Sequence, residues 1–252
     1  NIYMVGIKGT GMSSLAVLLK KLGYTVSGSD VHEEFPSELQ LKHNGIEYHN
    51  GFDTLHISDA HPDLVVISTA YNERNVEVAE VILQRLTHIT YPEAVGEISK
   101  KLASIAICGS HGKTTTTSML GVIMQTNHET MTLTGTVAEV LNGKVTDVKY
   151  FVFEADEYQN KFQYYTPANV ILTNIDFDHP DYFKDEAHYQ KTFADFISRT
   201  LENGGYVLFN YDNTNARTLF REIPGDYASY GFDPASEYVI TPLFYGVLLN
   251  GM

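Results

Sequence analysis

Residues 104–115 read Ser-Ile-Ala-Ile-Cys-Gly-Ser-His-Gly-Lys-Thr-Thr. The apolar run Ser104–Cys108 has the length of a buried strand, and Gly109 and Gly112 end it in a turn. From Lys113 to Gln125 the spacing predicts a helix. Strand, glycine turn and helix in this order are the repeating unit of an α/β fold. The turn also carries chemistry. Gly112-Lys113-Thr114 is the core of a phosphate loop, in which the backbone N–H groups of residues Gly109, Ser110, His111, Gly112 and Thr115 cradle phosphates. Lys113 reaches the β/γ oxygens, and the Thr114 hydroxyl can hold Mg²⁺. Ile107 stands where the strict pattern has glycine, so this is a shortened G-x-x-G-K-T form. Threonines fill positions 114–117. β-Branched residues lower helix propensity, so stability alone gives little reason for them.

A second unit of the same kind lies upstream. Ile2–Ile7 reads as a strand, Gly9–Gly11 as a turn, and Met12–Leu22 as a helix with Leu15, Leu18, Leu19 and Leu22 on one face. Against G-x-G-x-x-G the match is Gly9, Gly11 and then Ser14. Asp30 ends the following strand about 20 residues on, where dinucleotide enzymes place a ribose-binding acid. Two readings follow: a site for a dinucleotide or nucleotide diphosphate on a helix N-terminus, or a tight turn with a solvated Asp. The motif alone does not separate an oxidoreductase from a binder of a nucleotide sugar.

Downstream, the apolar strand Lys149–Glu154 runs into Glu154-Ala155-Asp156-Glu157-Tyr158. Glu154 is the first polar residue after the strand, and a hard cation wants such oxygen ligands. Asn169–Asn174 is another strand, leading through Asp176 and Asp178 to His179. In a parallel sheet the C-terminal strand ends share one edge, so the phosphate loop, Glu154 and His179 are expected to meet there. Asp156, Glu157, Asp176 and Asp178 read first as solvated loop acids. Further strands are expected at Tyr24–Ser29, Asp63–Ser68 and Gly205–Asn210, further helices at Val76–Leu86 and His188–Leu201, and a hairpin turn at Leu141-Asn142-Gly143-Lys144. The expected fold class is α/β with two parallel sheets: a Rossmann-like unit over 1–101 and a P-loop mononucleotide-binding unit over 102–252.

Composition bounds these readings. The 252 residues are 43% hydrophobic and 19% charged, which excludes disorder as the main state. The net charge of −14 argues against a nucleic-acid partner, because phosphate affinity comes from clustered Lys and Arg. No run reaches the ~18 apolar residues of a membrane span. The single cysteine, Cys108, excludes an intrachain disulfide and suits a reducing cytosol. Starting at Asn1 inside an apparent strand and stopping at Met252 without a recognisable end, the sequence reads as a fragment.

Taken together, these motifs resemble those of the Mur ligases of peptidoglycan precursor synthesis. The resemblance covers Ile2 to about Phe232. It rests on Gly6-Ile7-Lys8-Gly9-Thr10-Gly11-Met12 with Ser27-Gly28-Ser29-Asp30, on Gly109–Thr114, on Glu154–Tyr158, and on Thr173–His179. It implies a bacterial cytoplasmic ligase that uses ATP and Mg²⁺ to join an amino acid or peptide to the carboxylate of UDP-N-acetylmuramate through an acyl phosphate. It also implies that the first turn binds the UDP diphosphate. Gly9, Thr10, Gly11 and Met12 match that loop, while Asp30, Ser68 and Thr69 match positions lining the same cleft. His111 and Tyr158 match positions facing the muramoyl group. The resemblance further implies that Lys113 holds the ATP phosphates, Thr114 and Glu154 one Mg²⁺, and His179 a second. Thr10-Gly11-Met12 is closest to the branch that takes L-alanine, whereas Glu154–Phe183 also resembles the branch that attaches a whole tripeptide. In this family a third, C-terminal domain binds the acceptor, and the sequence ends before it. Lys8 and Ser14 replace more usual glycines, and Phe193 stands where some members carry a carbamylated lysine. A nicotinamide oxidoreductase has no use for the second loop. A nonenzymatic sugar-nucleotide-binding module remains the other alternative.

Overall fold

A computed structural model describes residues 1–135 and 148–241. Two parallel sheets organise the chain. The first is formed by β1 (Ile2–Val5), β2 (Val26–Asp30), β3 (Glu47–Asn50), β4 (Leu64–Ile67) and β5 (His88–Thr90), in the order β3-β2-β1-β4-β5. Helices α1 (Thr10–Lys21), α2 (Glu38–His43), α3 (Thr54–Ala60), α4 (Val76–Leu83) and α5 (Tyr91–Lys101) connect the strands. The second sheet contains β6 (Ala103–Cys108), β7 (Thr130–Leu133), β8 (Tyr150–Glu154), β9 (Asn169–Leu172), β10 (Tyr206–Asn210), β11 (Tyr227–Gly231) and β12 (Tyr238–Val239), ordered β12-β11-β10-β9-β6-β8-β7. With it go α6 (Lys113–Gln125), α7 (Glu186–Glu202) and α8 (Thr214–Phe220). Every recorded strand pair is parallel.

The α/β reading therefore holds, and the α6 bounds are those read from the sequence. The expected hairpin at 141–144 lies outside the described residues. Several short elements were not anticipated: α2, β3, α3, β5, β7, α8, β11 and β12. Most are too short or too polar for periodicity to register; β3, for example, reads Glu-Tyr-His-Asn and is mostly exposed.

Helix α1 is buried all along Met12–Leu19, not on one face only. It covers the first sheet and also packs on β7 of the second. One hydrophobic cluster thus runs from Leu15 and Leu18 through Met131 and Leu133 to Phe153, Phe193 and Phe196. The opposite face of the first sheet buries Tyr3, Val5 and Val65 under Ile57 of α3 and Val78 and Val81 of α4. Helix α5 closes on the second unit at Gly96, where a Cβ would lie 2.2 Å from the Tyr164 carbonyl oxygen. Only glycine permits that approach.

Strand register brings the chemistry to one edge. Ile107 lies opposite Glu154, and Cys108 lies opposite Leu172. Glu154, the turn after Cys108 and the Thr173–Asn174 exit therefore sit at one level, as the parallel-sheet argument requires.

Candidate functional site

After β6 the chain turns through Gly109 (φ +132°) and Gly112 (φ +82°), both in the left-handed region. Gly112 is the N-cap of α6, whose start carries no side-chain cap and no acid in its first turn. Backbone N–H groups and the positive end of the helix dipole are thus left for an anion. The loop is clamped from β9. His111 N–H donates to Asn174 Oδ1 at 2.9 Å, and the His111 carbonyl accepts from Thr173 Oγ1 at 2.7 Å. Ser110 Oγ donates to the Asp176 carbonyl at 2.6 Å and lies 2.7 Å from the Tyr189 hydroxyl. The side chain of His111 and Thr115 are exposed.

Lys113 Nζ donates to the Gly109 carbonyl at 2.6 Å and the Ser110 carbonyl at 3.2 Å, and pairs with Glu157 Oε2 at 3.1 Å. Glu157 is fully buried, which corrects its reading as a solvated acid. Burial pushes its carboxyl above the ordinary range, and the Lys113 ammonium pulls it back in part. Tyr189 adds a hydrogen bond to Glu157 Oε1 at 3.1 Å. One physical signal was available in the sequence: an inward-facing phosphate-loop lysine needs a counter-ion when no phosphate is present.

Thr114 Oγ1 lies 3.0 and 2.9 Å from the two Glu154 oxygens, and the Gly135 N–H donates to Glu154 Oε2 at 2.8 Å. A hydroxyl beside a carboxylate is a hard-oxygen set that fits Mg²⁺. His179 belongs to a different group. With Asp156 and Glu157 it offers ligand atoms within 4.8 Å of one another. Its Nε2 is 3.9 Å from Glu157 Oε1, and its φ is +55°. Thr114 with Glu154, and His179 with Asp156 and Glu157, thus form two neighbouring clusters; the expectation likewise assigns Thr114 and Glu154 to one ion and His179 to another, and Glu157 is the residue that was missed. Tyr158 packs its ring 4.8 Å from that of His179 and donates its hydroxyl to Asp181 at 2.7 Å.

The first glycine turn has the same design. Gly6 has φ +85°, and Gly9 is the N-cap of α1, again without a side-chain cap or an acid in the first turn. Asp30 is turned inward. It is 3% exposed and accepts from Lys8 N–H at 2.7 Å, the Tyr71 hydroxyl at 2.7 Å and Val31 N–H at 2.9 Å. Its role here is to hold the loop. Lys8, the departure from glycine, is buried and reaches the Val31 carbonyl (2.8 Å), the Glu33 carbonyl (3.0 Å) and Glu38 Oε1 (3.1 Å). Burial alone would raise the Glu38 carboxyl. Donors from Tyr48, Lys8, Phe35 N–H and Lys42 outweigh it and hold the group down at about 2.

The first glycine turn and Lys113 of the phosphate loop line one cleft of about 410 Å³. Gly9, Thr10, Gly11, Met12, Ser68 and Thr69 line one wall. Lys113, Gly135, Glu154, Asp156, Lys161 and Tyr165 line the other, with Tyr91 between them. Of the expected site residues, Gly109, Ser110, His111, Gly112, Thr114, Thr115, Tyr158, His179 and Asp30 are not on its walls. A larger hollow of about 760 Å³ along β2 and β3 contains neither helix N-terminus nor any phosphate-loop residue.

A glycine turn of diphosphate-binding type and a phosphate-loop lysine on one cleft mark an α/β fold of the nucleotide-binding type. The chain belongs to the Mur ligase family: the family's catalytic-domain model matches residues 1–102, and its middle-domain model matches residues 107–243. It is 39% identical over 239 residues to the UDP-N-acetylmuramate–L-alanine ligase of Lactobacillus helveticus, covering 94% of this chain and 52% of that protein. It is 35% identical to the enzyme of the same name from Borreliella burgdorferi, covering 96% of this chain and 53% of that one. The chain therefore spans about half the length of the curated relatives it matches. Among solved structures, it resembles the UDP-N-acetylmuramate:L-alanyl-γ-D-glutamyl-meso-diaminopimelate ligase from Neisseria meningitides, with a TM-score of 0.76 and 28% identity over 91% of this chain and 77% of that one. It also resembles the UDP-N-acetylmuramate–alanine ligase of Thermotoga maritima, with a TM-score of 0.74 and 25% identity over 92% of this chain and 52% of that one.

Proposed function

We propose that this chain is the sugar-nucleotide and ATP-binding part of an ATP-dependent ligase that joins L-alanine to the carboxylate of UDP-N-acetylmuramate. The observation that supports the reading is a cleft shared by the α1 N-terminus, Lys113 at the start of α6 and Glu154. Residues 1–101 would bind the UDP-sugar, with its diphosphate on Gly9–Met12 and with Ser68 and Thr69 on the same wall. Residues 102–252 would bind ATP on Gly109–Thr115. In the reaction a carboxylate oxygen of the substrate attacks the γ-phosphorus and ADP leaves. The acceptor amine then attacks the acyl carbon and phosphate leaves. Lys113 exchanges Glu157 for phosphate oxygens, and positioning with charge neutralisation does most of the work. Mg²⁺, held by Thr114 and Glu154 and at the Asp156–Glu157–His179 cluster, would supply further charge neutralisation on the phosphates. His111 and Tyr158 would approach the muramoyl group from the rim. The cytoplasm is the expected location. Among the described residues, no helix is long and apolar enough to cross a membrane.

The tripeptide-attaching branch is the second reading, favoured by the likeness to the Neisseria structure. In the full-length protein with UDP-N-acetylmuramate, ATP and Mg²⁺, ADP formation should depend on L-alanine and be abolished by Lys113→Ala. Dependence on the tripeptide instead would select the second reading. Failure of either acceptor to support sustained ADP formation, or activity unaffected by Lys113→Ala, would refute both.

A further inference from the structure

We propose that Lys161 is a substrate-binding cation of the cleft, directed at an oxyanion of the sugar nucleotide; the assignment rests on the functional reading above. It is carried by an unusual piece of backbone. The 3₁₀ stretch Tyr158–Tyr164 is broken at Gln159 (φ 55°, ψ 29°) and Asn160 (φ 55°, ψ 36°). Two successive non-glycine residues in the left-handed region carry a free-energy cost, and such strain persists where surrounding structure imposes it. Here it reverses the chain. Asn160 N–H donates back to the Glu157 carbonyl at 3.1 Å. Phe162 then enters the core, stacked 4.3 Å from Phe196, while Lys161 returns to the cleft and pairs with Asp156.

The donor inventory sets Lys161 apart. An ammonium has three N–H donors. Those of Lys113 meet Gly109, Ser110 and Glu157, and those of Lys8 meet Val31, Glu33 and Glu38. Lys161 has one recorded acceptor, Asp156, and otherwise lies over the Tyr158 ring at 5.5 Å. Its side chain is only 16% exposed, so donors are held in a confined space without a protein acceptor among the described residues. The opposite wall is the α1 N-terminus. Glu154 and Asp156 would repel an anion crossing between the walls, and of the two cations on that wall Lys113 is taken up by Glu157 and two carbonyls, which leaves Lys161 to offset them. The oxyanion is either the diphosphate or the muramoyl carboxylate, and both are recognised by the same charge-assisted hydrogen bonds.

The test uses the full-length protein with Lys161→Gln and Lys161→Arg, with thermal unfolding as the check on folding. Lys161→Gln should raise KM for UDP-N-acetylmuramate about tenfold or more and leave KM for ATP within about twofold; Lys161→Arg should restore most of the loss. Inhibition by UDP distinguishes the sources. If Lys161→Gln weakens UDP by the same factor, the diphosphate is the partner; if UDP is unaffected, the carboxylate is. An unchanged sugar-nucleotide KM in a folded Lys161→Gln protein, or an equal rise for ATP, overturns the proposal. A wild-type protein that forms no ADP with this sugar nucleotide overturns the functional reading instead.

Discussion

Gly109 and Gly112 both have positive φ, but their surroundings differ, and the difference gives a sharp test of the phosphate-loop geometry. A Cβ at Gly109 would lie 2.1 Å from Thr173 Oγ1, 2.8 Å from the Asn174 carbonyl oxygen and 2.9 Å from the Asn174 nitrogen. The hydroxyl can rotate away only by giving up its bonds to the Cys108 and His111 carbonyls. The Asn174 backbone can move only by shifting the exit of β9. A lost hydrogen bond at about 1 kcal/mol, a strained backbone at about 1–3 and overpacking at about 1–3 bring the cost of Gly109→Ala to roughly 3–7 kcal/mol. That is a large part of the ~5–15 kcal/mol typical of a folded domain. At Gly112 nothing lies within 4 Å of the added atom, so Gly112→Ala carries only the left-handed backbone term of about 1–2 kcal/mol. Urea unfolding of the 252-residue chain can be followed by circular dichroism or by the emission of its 17 tyrosines, since it has no tryptophan. Gly109→Ala should unfold at markedly lower urea than Gly112→Ala. Two variants within about 1 kcal/mol of each other would refute the claim that the Thr173–Asn174 exit is pressed against the loop.

Three other outcomes follow from the buried ion pairs and the oxygen cluster. The Glu157 carboxyl is raised, so the folded state holds its proton longer than the unfolded state. Its contribution should decline as pH rises from the ordinary carboxylate value through the folded pKa, by up to about 1.4 kcal/mol per pH unit, and Glu157→Gln should remove that decline in a pH series of thermal melts. Glu38 is the opposite case: it is held at about 2, so its contribution is present above the unfolded value of 4.5 and lost as pH falls toward 2. Lys8→Met should flatten that acid loss and also destabilise the chain at neutral pH by roughly 3 kcal/mol, because it strands a nearly buried carboxylate and two carbonyls. In the full-length protein, Thr114→Ala should raise the Mg²⁺ concentration needed for half-maximal ADP formation by about tenfold or more, while the unfolding temperature changes little.

The long, strongly patterned elements could be read from residues alone: β6, α6, β8, β9 and α7 all fall where apolar runs and glycine punctuation placed them. What escaped was set by tertiary contact. Strand β3 has no apolar face to betray it, and the burial of α1 on all sides depends on a second sheet that no local pattern announces. The candidate site divided in the same way. Lys113, Thr114 and Glu154 could be named because backbone chemistry at a strand end demands those side chains. Glu157 was marked only indirectly, by the need of Lys113 for a counter-ion, because its burial depends on Tyr189 and Lys113 arriving from other elements. Asp30 stood at the expected place, but Tyr71 and the Lys8 amide turn it inward, an effect no spacing rule encodes.

Helix α1 belongs to two hydrophobic layers at once, the first sheet beneath it and β7 beside it. The halves of this chain are therefore not interchangeable cassettes. A chimera that took residues 1–102 from one relative and the remainder from another would have to preserve the match between the α1 surface and Met131 and Leu133. Without it the junction would open a void in the shared layer, and both nucleotide loops would loosen together even with every loop residue intact.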